Sequence, residues 1–169
     1  MTGTRRYTAD LDLMHLGQQI HRAERVLILT GAGISTDSGI PDYRGKGSPP
    51  RTPMRIDQYM EDPQYRRRFW AGARVGSVRM GGVQPNAGHL ALAHLEAAGR
   101  IDGVITQNVD GLHQRSGVSA NKIIELHGNT TYATCLDCGH RHELATIRKA
   151  FLGAGELPIC EKCDGIVKT

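Results

Sequence analysis

The chain has 169 residues, 39% hydrophobic and 22% charged, with 21 basic against 17 acidic side chains and a net charge of +4. That composition excludes a disordered chain. No apolar run is long enough to span a bilayer, and MTGTRRYTADLDLM at the N-terminus lacks the apolar core of a secretory signal, so the expectation is a soluble, cytoplasmic protein with no membrane partner.

In chain order, residues 10–24 place Leu13, Leu16, Ile20 and Ala23 at helical spacing, which predicts an amphipathic helix. VLILT (26–30) is a short apolar run ending at Gly31, as in a buried parallel strand. Residues 46–56 hold three prolines and read as irregular. Residues 57–80 hold Tyr59, Tyr65, Phe69 and Trp70 and read as short helices, with Asp62-Pro63 as a start. The run Arg66-Arg67-Arg68 reads as a solvated helix face, so nucleic acid is not the expected partner. This aromatic segment suits a small helical subdomain or one wall of a groove. QPNAGHLALAHLEAAG (84–99) predicts a helix capped by Asn86 and ended at Gly99. GVITQNVDG (103–111) and KIIELHGN (122–129) read as two further strands. Alternating strand and helix gives an α/β fold with a Rossmann-like parallel sheet. Residues 1–130 form the nucleotide-binding part, with a helical segment at 46–83, and residues 131–169 a separate small module.

That module holds all four cysteines, as Cys135-x-x-Cys138 and Cys160-x-x-Cys163 with 21 residues between the pairs. Two such pairs can close a tetrahedral zinc site; four reduced thiols are the alternative. With four cysteine ligands no position stays open for substrate, so the zinc would be structural. Gly139 and Gly165 follow the pairs, where a knuckle turn often needs positive φ.

Gly31-Ala32-Gly33 after a strand lets backbone approach a pyrophosphate. The dehydrogenase fingerprint then breaks down. Position 36 is Thr instead of a third glycine, and no acidic residue ends a second strand about 20 residues on. NAD is permitted, in an arrangement other than hydride transfer. Ser35, Asp42, Tyr43 and Arg44 follow on a loop held by glycine and proline. Arg44 can reach a phosphate or pair with Asp42, and a plain surface turn is the other reading. Gln107, Asn108 and Asp110 lie just past a strand end, where open α/β sheets bind ligands. His127 ends the next strand, and is either structural or a general base.

Taken in order, GAGIS-x-x-SGIPDYRG, TQNVDGLH, ELHG and the two Cys-x-x-Cys pairs resemble the sirtuin family of NAD-dependent protein deacylases. The match runs from about residue 12 to the last residue, with Tyr43 where many members have phenylalanine. RRRFWAGARVG (66–76) and QPNAGH (84–89) resemble its class II branch. The resemblance implies that Gly31, Ala32, Gly33, Ser35, Asp42, Tyr43 and Arg44 hold NAD+, and that Gln107, Asn108, Val109 and Asp110 line its ribose and nicotinamide. His127 and Asn108 are implied to be catalytic, with His127 the general base. His89 and His113 also match family positions and read as structural.

The reaction so implied takes an acyl-lysine protein or peptide. The acyl oxygen attacks the anomeric carbon as nicotinamide leaves, His127 deprotonates a ribose hydroxyl, and the acyl group ends on ADP-ribose. Ala73 and Gly76 stand where desuccinylases of the family carry tyrosine and arginine, so succinyl and malonyl groups are not expected to be preferred. Family members continue beyond GIVKT with segments that bind the adenosine half of NAD+. The resemblance therefore implies a fragment, or else a fold completed by another chain, with strand edges and an apolar face of its sheet exposed. Mono-ADP-ribosyl transfer on the same fold, and a catalytically silent zinc- and nucleotide-binding fragment, are the alternatives.

Overall fold

Among the described residues, two small sheets organise the chain, one parallel and one antiparallel. The computed structural model describes residues 4–42, 52–80 and 82–169. Tyr43, Arg44 and the proline-rich stretch to residue 51 lie outside the described residues.

Helix α1 (Thr4–Arg22) begins well before the segment whose periodicity announces it. Its apolar side chains Leu13, Met14 and Leu16 are exposed. Strands β1 (Leu27–Thr30), β2 (Gly103–Thr106) and β3 (Ile123–Glu125) pair in that order, all parallel. The register aligns Ile28, Val104 and Ile123 in one row and Leu29, Ile105 and Ile124 in the next. Successive residues of a strand face opposite sides, so the two rows meet different surroundings. Val104 is fully buried in a cluster with Ala93 of helix α4 (Ala87–Ala97), Ile101 and Val118, against which Ile28 and Ile123 pack. On the other face Leu29 and Ile124 are 66% and 55% exposed. The apolar face expected to be bare is bare among the described residues.

Asn86 caps α4 as its sequence foretells: its Oδ1 accepts from the backbone N–H groups of Gly88 at 2.9 Å and His89 at 3.3 Å. Its Nδ2 also donates to the carbonyl of Ile34 at 2.7 Å, tying the helix start to the glycine loop. Gly99, at φ +65°, ends the helix in the left-handed conformation that glycine adopts without strain. Asn86→Ala is expected to cost about 1 kcal/mol for the cap and about 1 kcal/mol more for the bond to Ile34. Asn86→Asp keeps the cap acceptor and loses only the second part. Urea unfolding midpoints of the two variants measure the difference.

The aromatic segment forms helices α2 (Ile56–Glu61) and α3 (Pro63–Met80). The break at Asp62-Pro63 falls where expected, and Asp62 Oδ1 accepts from the Gln64 N–H at 2.7 Å. Chain order groups these helices with the parallel sheet; packing groups them with the cysteine module. Trp70 is buried with Ala133, Leu144, Ile147 and Val167, and Phe69 packs alongside. The Tyr59 hydroxyl donates to the Val167 carbonyl at 2.7 Å. The physical reason is that the module is too small to enclose a core alone, and two aromatic rings supply one wall. Its own elements are β4 (Tyr132–Cys135), β5 (Arg141–Glu143) and β6 (Val167–Lys168), antiparallel in the order β5-β4-β6, and a helix at Leu144–Ala154. A helical turn at Leu112–Arg115 follows the loop after β2.

Candidate active site and metal centre

The loop after β1, expected to depart from the dehydrogenase pattern, is a short helical turn. A 3-10 stretch runs from Ala32 to Ser38 and ends at Gly39, at φ +90°. The Ile34 N–H reaches the Gly31 carbonyl at 3.2 Å and the Thr36 hydroxyl reaches the Gly33 carbonyl at 2.9 Å. The first, a backbone i→i+3 bond, tightens a short turn without committing the chain to a long helix, and the Thr36 side chain braces it. A Cβ on Gly33 would meet nothing within 4 Å, so the space beside this backbone is open.

One network joins this turn to the loop after β2. Ser35 is fully buried, and its hydroxyl donates to Asp110 Oδ2 at 2.8 Å. Asn108 Nδ2 donates to Ser35 Oγ at 3.1 Å and to the Gly31 carbonyl at 3.0 Å. Both amide hydrogens of Asn108 are thereby engaged, so what it offers a ligand is its carbonyl oxygen. The other carboxylate oxygen of Asp110 accepts from the Leu112 N–H at 2.9 Å.

These residues line a cavity of about 200 Å³. Ala32, Ser35, Ile40 and Pro41 come from the first loop, Gln107, Asn108, Val109 and Asp110 from the second, and His127 closes it. That volume suits a ring and a sugar, not a whole dinucleotide. Gly31 and Gly33 contribute backbone around it and do not line it. Asp42 is half-buried beside Pro41. Ile40 and Pro41 were not among the expected contacts; a proline before the polar Asp-Tyr-Arg stretch was the available signal.

His127 lies at a junction. With Val109 it also lines a larger cleft of about 870 Å³ between α2, α3, the sheet end and the cysteine module. Its Nδ1 is 3.0 Å from the backbone carbonyl of Gln107. A carbonyl only accepts, so Nδ1 carries the hydrogen and the lone pair is on Nε2. Tyr59, Phe69, Ala73, Leu144 and Lys168 are among the other residues of the cleft. They come from distant parts of the sequence, which is why no local pattern announces the cleft.

His89 and His113 lie behind the site. Both are fully buried with ring centroids 5.0 Å apart, and His113 Nε2 donates to Thr30 Oγ1 at 2.8 Å. The Thr30 hydroxyl donates onward to Thr106 at 2.9 Å, across β1 and β2. Burial lowers both pKa values below the ordinary 6.5; for His113 the adjacent His89 adds to this, and Asp110 opposes it at both. The unfolded chain therefore binds protons that the folded chain refuses. The contribution is complete above about pH 6.5 and is lost as the pH falls below it. The urea midpoint is expected to drop between about pH 7.5 and pH 5.5, and a His89→Gln, His113→Gln double variant is expected to flatten that drop.

The four cysteines converge as expected. All are free thiols, and their sulfurs lie within 4.8 Å of one another. Cys135 to Cys163 and Cys138 to Cys160 are each 3.6 Å apart. A disulfide needs about 2.05 Å, whereas four sulfurs at about 2.3 Å from one zinc ion are about 3.8 Å apart. The donor set and its spacing fit structural zinc. The N–H of Cys138 helps hold the Cys135 thiol down to about 7, while Cys163, although drawn down by the Gly165 N–H, is pushed up to about 12 by the neighbouring thiols and burial. One thiolate thus discourages the next, a conflict that a divalent cation removes. Gly139 has the expected positive φ of +72°; in the second knuckle the positive φ falls on Asp164, at +57°, and not on Gly165. Gly165 is needed for space: a Cβ there would collide with the Asp137 carboxylate and sit 2.9 Å from Cys135 Sγ.

Comparison with known proteins agrees with this geometry. The Sir2 family model matches residues 31–169. The chain belongs to the Sir2 family. An NAD-dependent protein deacetylase of Rhodopseudomonas palustris is 44% identical over 161 residues, covering 91% of this chain and 62% of that protein. NAD-dependent protein deacetylase 1 of Mycobacterium avium is 56% identical over 144 residues, covering 84% of this chain and 50% of its own length. Among solved structures, a Sir2 protein with a p53 peptide and NAD+ superposes with a TM-score of 0.73 at 36% identity, over 91% of this chain and 61% of the other. The chain thus spans about half to three-fifths of the length of these Sir2 relatives. Among the described residues, no helix is long and apolar enough to cross a membrane.

Proposed function

We propose that this chain carries the nicotinamide-side half of an NAD-dependent protein-lysine deacylase. The observation that supports it most is the position of His127, between a small polar cavity and a large cleft, with its lone pair on Nε2. When bound, NAD+ supplies an anomeric carbon with nicotinamide as leaving group. His127 takes a proton from a ribose hydroxyl at Nε2, and the Gln107 carbonyl steadies the imidazolium through Nδ1. Asn108 accepts from the sugar through its free oxygen, because Gly31 and Ser35 hold its two hydrogens. Asp110 and Ser35 keep the two loops in register, and Ile40, Pro41 and Val109 exclude water from the reacting carbon. Gln107, Gly31, Ala32, Gly33 and Asp42 complete the cofactor contacts, together with Tyr43 and Arg44, the next two residues in the sequence.

The large cleft takes the acyl-lysine chain of a protein or peptide. Ala73 on its wall stands where the resemblance places the tyrosine of desuccinylases, so acetyl is preferred over succinyl. Zinc on Cys135, Cys138, Cys160 and Cys163 braces one wall of the cleft and takes no part in the chemistry. Reduced cysteines set for metal agree with a cytoplasmic setting.

The test is incubation with NAD+ and acetyl- or succinyl-lysine peptides. Nicotinamide, O-acyl-ADP-ribose and free lysine in equal amounts, faster from the acetyl peptide, is the expected result. Nicotinamide with ADP-ribose on the acceptor protein would assign transferase chemistry instead. Intact NAD+ with a folded, metal-loaded module would make the chain a silent binding fragment.

A further inference from the structure

The cysteine module carries a second constellation of ligand atoms that neither the zinc nor the deacylation chemistry uses. His140 and His142 are two residues apart on extended backbone at the start of β5, so their side chains share a face, with ring centroids 4.8 Å apart. The second knuckle brings up Glu161, next to Cys160. His140 Nε2 lies 2.7 Å from Glu161 Oε1. One ligand atom from each of the three residues lies within 4.8 Å of the other two.

A surface ion pair between His140 and Glu161 does not account for this arrangement. Such pairs contribute little, and the pair leaves His142 out. His142 stands opposite the fully buried Ala133 in the β4–β5 register. Its Nε2 is buried with no hydrogen-bond partner among the described residues. A buried ring nitrogen left unsatisfied is costly, and one ring nitrogen of His142 lies within 4.8 Å of the ligand atoms of His140 and Glu161.

We infer that His140, His142 and Glu161 form a second divalent-cation site, separate from the four cysteines, that takes zinc with two imidazoles, one carboxylate and water. Ligands at about 2.0–2.1 Å in a tetrahedron are about 3.3 Å apart, so atoms now up to 4.8 Å apart would close in while Glu161 withdraws by about 0.6 Å from its present contact with His140. Its side chain is 71% exposed, which leaves it free to do so. The charge balance is favourable. A four-thiolate zinc carries a net double negative charge, and both knuckles deliver that charge next to His140 and Glu161. The second ion would pin β5 to the 160–163 knuckle, a link that backbone hydrogen bonds do not supply across those positions.

The experiment is zinc titration of the purified protein with its cysteine-bound ion in place, followed by native mass spectrometry. Two ions per chain are expected, the second in exchange at micromolar free zinc. Glu161→Gln and His142→Ala should each keep the first ion and weaken the second by at least about tenfold, since loss of even an outer partner of a metal ligand costs that much. Glu161→Gln is at an exposed position, so it reports on the site even if His142→Ala perturbs folding. A parent chain that stops at one ion up to millimolar zinc would overturn the assignment. So would a second ion bound equally well by a His140→Ala, Glu161→Gln double variant. Loss of the first ion in a cysteine variant bears on the structural zinc alone, so the two sites are distinguished.

Discussion

Removing the metal from the cysteine module, by a strong chelator or by Cys160→Ser, is expected to unfold the module outright. Apparent binding free energies of structural zinc are about 10–16 kcal/mol, whereas whole domains are stable by only about 5–15 kcal/mol. The module has no reserve to absorb such a loss. Its core includes two of the ligands, Cys135 and Cys160, packed with Trp70, Ala133, Leu144, Ile147 and Val167. Trp70 is the only tryptophan of the chain and is 3% exposed. Its emission should shift to the red on metal removal and return when zinc is added back to the parent, but not to Cys160→Ser. The effect reaches the cleft, because Tyr59 and Phe69 line it and lean on the same core. Unchanged Trp70 emission after removal of one zinc per chain would show that the module holds its fold without metal.

How much of this could be read from the residues depended on the range of the interaction that decides each feature. Asn86 and Gly99 bracket α4 because capping is local, and the break at Asp62-Pro63 is local too. That the sheet is parallel followed from alternation, and the bare face of Leu29 and Ile124 from the resemblance to a longer fold. The turn after Gly31 was legible as a departure from the dehydrogenase loop, but its 3-10 form was not, since it depends on which carbonyls Ile34 and Thr36 find. Gly165 was marked for the wrong reason: a glycine required by a neighbour's side chain looks the same in sequence as one required by φ. The membership of α2 and α3 in the cysteine module was hidden because Trp70 and Val167 are nearly a hundred residues apart. The meeting of His140, His142 and Glu161 was hidden likewise, since it depends on how the two cysteine knuckles fold against each other.

His127→Ala is expected to lower deacylated product by about 10²- to 10⁴-fold, the usual worth of a positioned general base, without loss of fold. The residue is exposed and, among the described residues, holds only the Gln107 carbonyl, so Trp70 emission should not change. The site makes a sharper claim than loss of activity. On the proposed function, breaking the ribose–nicotinamide bond would require the acyl oxygen and the Asn108 carbonyl, with Asp110 and Ser35 holding the two loops in register, and the proton taken by Nε2 would be needed only afterwards. Exchange of labelled nicotinamide into NAD+, in the presence of acetyl-lysine peptide, isolates the first event. Measured side by side in His127→Ala, exchange is predicted to persist within about tenfold of the parent, while O-acyl-ADP-ribose falls by the full amount. Equal loss of exchange and product, or product formation as fast as in the parent, would contradict the role given to His127.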